Sequence, residues 1–400
     1  MSTLERAHVT AIGDFAAATR LEDVPDEVTA FARLLLVDTL GALLGGLRYP
    51  PVRDLARSVA GPGTFGALLT LGTAATWLDA DSGGSFHPQG HRLPPVPTAH
   101  PAPHSLPVLL LAAASGDVTD RRLLEVFLVA NELGLRSGTA SSLRPGMHPH
   151  GVHGPSAAAL AATLLRGGTP EDLGRAFLLG SALPMAATLD VPVQGGTVRN
   201  VWTGLGACHG ALAADLARDA AADDEAATAT FSALFDSAVC TELSVDELAG
   251  ELGRRWQLPH SYLKPYACAR WIHPALDAVG LAMAGSATAA ADVLTVEVDT
   301  FAFAAGLTSL DIRSDMQARF SLPYCVATLI TDGGLDAGSF LPAQLARGPV
   351  ADLAARVTVR EDGAHTAALP GERPARVVVR TRDGRALAAD VRNARGNPAS

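Results

Sequence analysis

Up to about residue 258 the apolar residues of this chain recur at the three- and four-residue spacing of helices, and beyond Pro259 they alternate one by one. That change of period fixes the fold class, because one face of a helix is lined every three or four residues and one face of a strand every second residue. Helices are expected over 27–47, 106–115, 120–137, 155–166, 170–189, 202–221 and 244–256. Thr169, Pro170 and Glu171 give the fifth a clear start, an N-cap followed by proline at the first helical position. Strands are expected over 293–303, 355–360, 376–380 and 386–391, with Asp383 and Gly384 turning the last pair into a hairpin. Helices near 273–284 and 323–331 lie among them. The expectation is a mainly α protein: a large all-α domain over 1–258 and a smaller α+β domain over 259–400.

Two stretches interrupt the helical half. Residues 81–104 contain Gly83, Gly84, Pro88, Pro94, Pro95 and Pro97 among other breakers, and 144–154 is similarly broken. Loops this long inside a compact domain are commonly functional. Seven of the twelve histidines fall in them: His87, His91, His100 and His104 in the first, His148, His150 and His153 in the second. Histidine titrates nearest to neutral pH, which suits it to proton transfer. Asp79 and Asp81 lead into the first loop. The spacing of His148, His150 and His153 matches no standard zinc motif, and the surrounding Pro and Gly prevent a helical pair of ligands, so no metal is expected. Taken singly, each loop histidine is more readily a hydrogen-bonded organiser of its loop than a catalyst, but taken together one or two are expected to be acid/base groups.

Of the 31 basic residues, one is lysine, Lys264. In a chain this rich in Arg, Ala and Gly, a surviving lysine suggests a position where a permanently charged guanidinium cannot replace an ammonium that can lose its proton. It sits near the expected domain junction, and ligand sites favour such junctions. Arg199, just ahead of a helix start, is a second candidate cation for a carboxylate. The net charge of −10 argues against nucleic acid and anionic membranes as partners. There is no apolar run of membrane-spanning length and no signal-like N-terminus, so a cytoplasmic protein is expected. Cys208, Cys240, Cys268 and Cys325 are far apart, which favours free buried thiols over disulfides or an iron–sulfur cluster.

Several short motifs occur in one order. They are Val37-Asp38-Thr39-Leu40-Gly41; Gly72-Thr73-Ala74-Ala75 leading to Leu78-Asp79-Ala80-Asp81; His100-Pro101; and Gly146-Met147-His148-Pro149-His150-Gly151. Lys264-Pro265-Tyr266 through His273-Pro274-Ala275 follows, and then Phe320-Ser321-Leu322-Pro323-Tyr324. Each is weak alone, but their collinearity over residues 25–395 makes the chain resemble the MmgE/PrpD family. Its members include 2-methylcitrate dehydratase, cis-aconitate decarboxylase and iminodisuccinate epimerase. The resemblance implies a helical domain, a smaller lid domain with the active site in the cleft between them, a homodimer, a small carboxylate substrate, and no metal or organic cofactor. Asp79, His100, His148 and Lys264 fall on family catalytic positions. Arg199 stands where the family has a second lysine, and Arg199, His150, Tyr266 and His273 are the expected substrate-binding residues. Ser82 and Gly83 replace the usual Asp and Thr after the aspartate motif, and Gly151-Val152 departs from the family's continuation of the histidine motif. Relative to the resemblance the chain also stops early, so a trimmed helical domain supplemented by a dimer partner is expected.

The chemistry implied is the development of negative charge on carbon beside a carboxylate. Lys264 and Arg199 would clamp the carboxylate, His100 or His148 would move the proton, and Asp79 would orient a histidine or bind the departing group. Loss of water makes the enzyme a dehydratase, the first expectation. Decarboxylation or epimerisation on a related acid is the alternative, and a non-catalytic scaffold is an alternative of another class.

Overall fold

The computed structural model describes residues 4–84, 99–218 and 224–398 of the chain. His87 and His91 lie outside the described residues. Two compact units divide the chain: Met1–Trp77, Asp81–Leu189 and Val198–Tyr262 form the first, and Leu78–Ala80, Asp190–Thr197 and Leu263–Ser400 the second. The division expected at 258/259 thus lies at 262/263, and two short earlier segments also belong to the second unit.

In the first unit the helix Val198–Arg218 packs on Phe65–Trp77, Gly154–Leu165, Pro170–Ser181 and Ala102–Ser115. Glycine permits these close approaches: a Cβ on Gly204 would lie 2.2 Å from the carbonyl oxygen of Leu69. The helix Asp26–Gly46 is long and apolar enough to cross a membrane by length and composition alone. It buries Val28, Ala32, Leu35, Ala42 and Leu43 and packs against Phe65–Trp77.

The helix that starts at Pro170 is capped as expected. The Thr169 hydroxyl accepts from the backbone N–H of Asp172, whose carboxylate in turn accepts from the N–H of Thr169. It ends at Ser181 rather than 189. Pro184 disfavours helical geometry at the residue before it, and the chain beyond instead pairs with the second histidine loop. Met147 and Thr188 form an antiparallel bridge, and the N–H of His148 donates to Ala187 at 2.9 Å. The helix expected over 244–256 shrinks to Val245–Ala249, with Gly250 and Gly253 (φ +76°) ending it.

The first unit is not wholly α. Strand β1, Gly83–Gly84, pairs antiparallel with β4, Ser261–Tyr262, and β2, Ser141–Leu143, pairs antiparallel with β3, Cys240–Leu243. Helical periodicity gives no sign of strands this short. A further difference concerns His104, which lies in the first turn of the helix Ala102–Ser115 rather than in the loop.

The second unit holds a four-stranded sheet of order β6-β5-β7-β8, from Val357–Glu361, Val293–Thr300, Ala375–Thr381 and Ala386–Val391. Strands β5 and β6 run parallel, and the other neighbours antiparallel. The Asp383–Gly384 hairpin joins β7 to β8 as the sequence predicts. Alternation places Val293, Val296, Val298, Val377 and Val379 in the core, and the helix His273–Met283 packs on β7 and β8. All four cysteines are free and buried.

Candidate active site

In the first unit, Asp81, His100, His150 and Arg199 meet in the interior. The β1–β4 pairing fixes the start of the first loop, and the N–H of Gly84 donates to Ala99 at 2.9 Å, which returns the chain to His100. His100 Nδ1 lies 2.8 Å from the carbonyl oxygen of Ser82 and 2.9 Å from the carboxylate of Asp81. A carbonyl only accepts, so Nδ1 carries the proton and Nε2 holds the lone pair. The Tyr262 hydroxyl stands 3.5 Å from Nε2. This is an oriented imidazole with its basic nitrogen directed away from the carboxylate that holds it.

Arg199, in the first turn of its helix, is 2% exposed. One guanidinium nitrogen donates to Thr76 O at 2.8 Å and Asn200 Oδ1 at 2.9 Å, while the other lies 3.4 Å from Asp81 and 3.3 Å from His150 Nε2. A carboxylate bound by Arg199 is therefore present, and it is Asp81 of the chain itself. Because guanidinium nitrogens only donate, His150 Nε2 accepts and its Nδ1–H faces the Thr203 hydroxyl at 2.8 Å. Burial first, and then the Arg199 charge, hold His150 well below the usual histidine range.

His148 lies beside His150, ring centroids 4.6 Å apart, with the Trp202 ring at 5.7 Å on another side. Its Nδ1 accepts from the backbone N–H of His150 at 3.1 Å, which leaves the proton on Nε2. His100 and His150 are 4.4 Å apart, so His148, His150 and His100 form a continuous row. His104 and His153 do not share the pattern. His104 Nδ1–H donates to His100 O at 2.8 Å and Nε2 accepts from Gly151 N at 3.3 Å, so one ring fastens the first histidine segment to the second. Its ring fills the space that a side chain at residue 154 would need: a Cβ on Gly154 would lie 2.2 Å from His104 Cγ. Burial lowers His104 to about 4 and His153 to about 3, so both are neutral organisers.

In the second unit, Lys264 pairs with Asp79. Its Nζ lies 2.8 Å from the Asp79 carbonyl and 3.2 Å from its carboxylate, and Lys264 is 8% exposed. Asp79 therefore partners the lysine, and the aspartate that orients a histidine is Asp81. Arg319, fully buried, donates to Leu78 O at 2.8 Å and Ala267 O at 2.6 Å, tying together the segments that carry Asp79 and Lys264. The Tyr266 hydroxyl donates to Asp277 and accepts from Arg395, at 2.8 and 2.7 Å, and burial and Asp277 raise it to about 12. His273 Nε2 donates to Cys268 O at 3.1 Å.

Ligand atoms of Asp81, His100 and His150 lie within 4.8 Å of one another, a donor set that invites a cation. A guanidinium already stands against two of the three residues, and the His100 nitrogen nearest Asp81 carries a proton shared with Ser82. These hydrogen bonds account for the cluster as a proton-transfer arrangement.

Sequence reasoning passed over three residues of these networks as site residues. Asp81 was visible as an acidic residue entering the histidine loop. Tyr262 and Arg319 gave no local signal, since their partners are 162 and 241 residues away along the chain.

The family model for the MmgE/PrpD N-terminal domain matches residues 10–239, and that for the C-terminal domain matches residues 266–400. No curated protein matches the chain.

Proposed function

The chain belongs to the MmgE/PrpD family, and on that footing we propose that it is a lyase that removes water from a small carboxylate substrate after abstracting a proton beside a carboxylate. The observation that carries the reading is the buried pair of Asp81 and His100. The Ser82 carbonyl accepts from Nδ1–H and fixes the tautomer, with the Asp81 carboxylate 2.9 Å from the same nitrogen, so Nε2 is the base that takes the proton from carbon. As the proton moves, His100 becomes cationic, and the Asp81 carboxylate 2.9 Å away stabilises that charge. Base catalysis of this kind contributes typically about 10²–10⁴-fold.

Lys264 is the cation for the substrate carboxylate and for the enolate-like charge that develops on it. A preorganised donor at such a position contributes on the order of 3–4 kcal/mol to the transition state. Arg199 acts behind the reacting groups by pairing with Asp81 and, together with burial, keeping His150 neutral. His148 is the second proton carrier, the candidate to protonate the departing hydroxyl. Nothing in these roles calls for a metal or an organic cofactor. Stoichiometric metal in active, purified protein would overturn that part of the proposal.

A homodimer in the cytoplasm is part of the same proposal. Leu34, Val37 and Leu44 lie on one stripe of the helix Asp26–Gly46 and are 51%, 67% and 56% exposed, an apolar face suited to a second copy. A monomer by light scattering would contradict it. The reaction is tested by incubating the enzyme with β-hydroxy di- and tricarboxylic acids and following the absorbance of the conjugated unsaturated acid. Release of CO₂ or racemisation without that absorbance would assign the chain to another branch of chemistry.

A further inference from the structure

The Tyr262 hydroxyl stands at the basic nitrogen of His100, yet the reaction as proposed gives it no role. Two features of the first unit put it there. The first is a buried ion pair. Glu132 and Arg136 lie one turn apart on the helix Asp120–Thr139, 2.8 Å from each other and both fully buried. The Glu132 carboxylate also accepts from the backbone N–H of Gln257 and of Leu258, each at 2.9 Å. Arg136 donates to the Gly250 carbonyl at 2.7 Å. Charges taken out of water are tolerated when hydrogen bonds saturate them, and here the backbone of 250–258 does so. That segment runs on into β4 and Tyr262. The second feature is glycine. Strand β1 sets Gly83 opposite Tyr262, and side chains of opposed residues share one face of the pair. Gly83 has none, so the Tyr262 ring reaches across it and meets the His100 imidazole edge-on, centroids 6.1 Å apart. A Cβ on Gly83 would lie 2.7 Å from Tyr262 Oη and 2.8 Å from His100 Cε1.

With the His100 proton on Nδ1, Nε2 can only accept, so across 3.5 Å the Tyr262 hydroxyl is the donor. Contacts of this length at a catalytic base tighten when substrate is bound. We propose that Tyr262 is a catalytic residue that carries the proton from the substrate carbon to His100. Its oxygen takes the proton as the C–H bond breaks, and its own proton passes to Nε2. The C–H electron pair stays on the substrate as the enolate-like species. His100 ends as the imidazolium beside Asp81, and the phenol ends neutral. This rests on His100 as the base and adds the atom through which the proton reaches it.

Isotope-labelled histidine nitrogens, read by NMR in the full chain, test the contact without a substrate. The His100 signals are those missing in H100Q. Nε2 is expected to be unprotonated and hydrogen-bonded in wild type. In Y262F it should move toward the value of a free acceptor, with Nδ1 still protonated. A proton on Nε2 in wild type, or an Nε2 signal unmoved in Y262F, would overturn the proposal. Deuterium incorporation from D₂O into di- and tricarboxylates then tests the transfer. Y262F is expected to lower its rate at least about 10²-fold, and so is G83A, which parts the hydroxyl from the ring. The relay needs the hydroxyl protonated at rest. Tyr262→difluorotyrosine keeps that group but makes it more acidic, so the basic limb of the pH–rate profile should move to lower pH. A limb left in place would make the phenol merely structural and overturn the relay. Because the wild-type signals and the fluorinated variant stand on their own, a misfolded Y262F does not protect the proposal. Exchange lost in H100Q but kept in Y262F would overturn the relay alone, whereas no exchange by wild type would remove the base and the relay together.

Discussion

Lys264 Nζ is held between two oxygens of a single residue, the carbonyl of Asp79 at 2.8 Å and its carboxylate at 3.2 Å, and Asp79 reaches it from left-handed backbone at φ +50°. A compact ammonium fits between those oxygens, whereas a planar guanidinium is broader and has its donors fixed in a fork. Lys264→Arg is therefore expected to lower kcat/KM at least about 10²-fold although the charge is kept. Circular dichroism should show the fold intact. A fully active Arg variant would make Lys264 a chance survivor of the chain's arginine-rich composition.

Asp81→Asn replaces an acceptor with an amide that cannot hold Nδ1–H of His100 in both of its present contacts. The His100 imidazolium then loses the carboxylate that stabilises it, and Arg199 loses a buried counter-charge. A fall in kcat of about 10²–10⁴-fold is expected, with the limb of the pH–rate profile that reports the base displaced. An Asn variant with a wild-type profile would remove Asp81 from the proposed pair.

Buried neutral histidines set the acid stability. The folded-state value of His104 is lowered to about 4 and that of His153 to about 3, below the ordinary 6.5. The unfolded chain thus binds more protons in this range. The neutral histidines stabilise the fold fully above about pH 6.5, and this contribution falls away as the pH drops toward the folded values. Each histidine is worth on the order of 1 kcal/mol per pH unit in that window. Unfolding midpoints in urea at pH 7 and pH 5 should show His104→Gln losing less stability between the two than wild type. An equal loss would show that His104 does not titrate as its burial dictates.

Arg319 ties Leu78 to Ala267 and lies over the Phe340 ring at 4.3 Å. Arg319→Met leaves two buried carbonyl oxygens without this donor, at about 1–3 kcal/mol each. Urea denaturation should show that loss. Arg319→Lys, which keeps one donor near the carbonyls, should recover part of the stability but not the full kcat, because the segments bearing Asp79 and Lys264 shift. Unchanged stability in both variants would deny Arg319 its positioning role.

Much of the architecture was legible because it follows from period. The change from helical to alternating spacing near Pro259 marks the sheet of the second unit, and the Asp383–Gly384 turn fixes its last hairpin. The two short sheets of the first unit were not legible: β1 is two glycines paired with Ser261 and Tyr262 far along the chain. The histidine loops announced their importance by composition, yet not the division of labour within them. That division depends on which partner each ring nitrogen meets, so His104 and His153 became organisers while His100 kept its lone pair on Nε2, beside the Tyr262 hydroxyl. Asp79 was the aspartate expected to orient a histidine or bind the departing group, but contacts between remote residues make it the partner of Lys264 and make Asp81 the partner of His100.

The central claim is that His100, held by Asp81, removes a proton from the carbon beside a carboxylate. The direct measurement is deuterium incorporation at that carbon, followed by NMR in D₂O, across a panel of di- and tricarboxylates with wild type and His100→Gln. The account predicts exchange by wild type on at least one acid and a rate at least about 10²-fold lower in the variant. Equal exchange by the two proteins, or none by wild type on any acid, would contradict it.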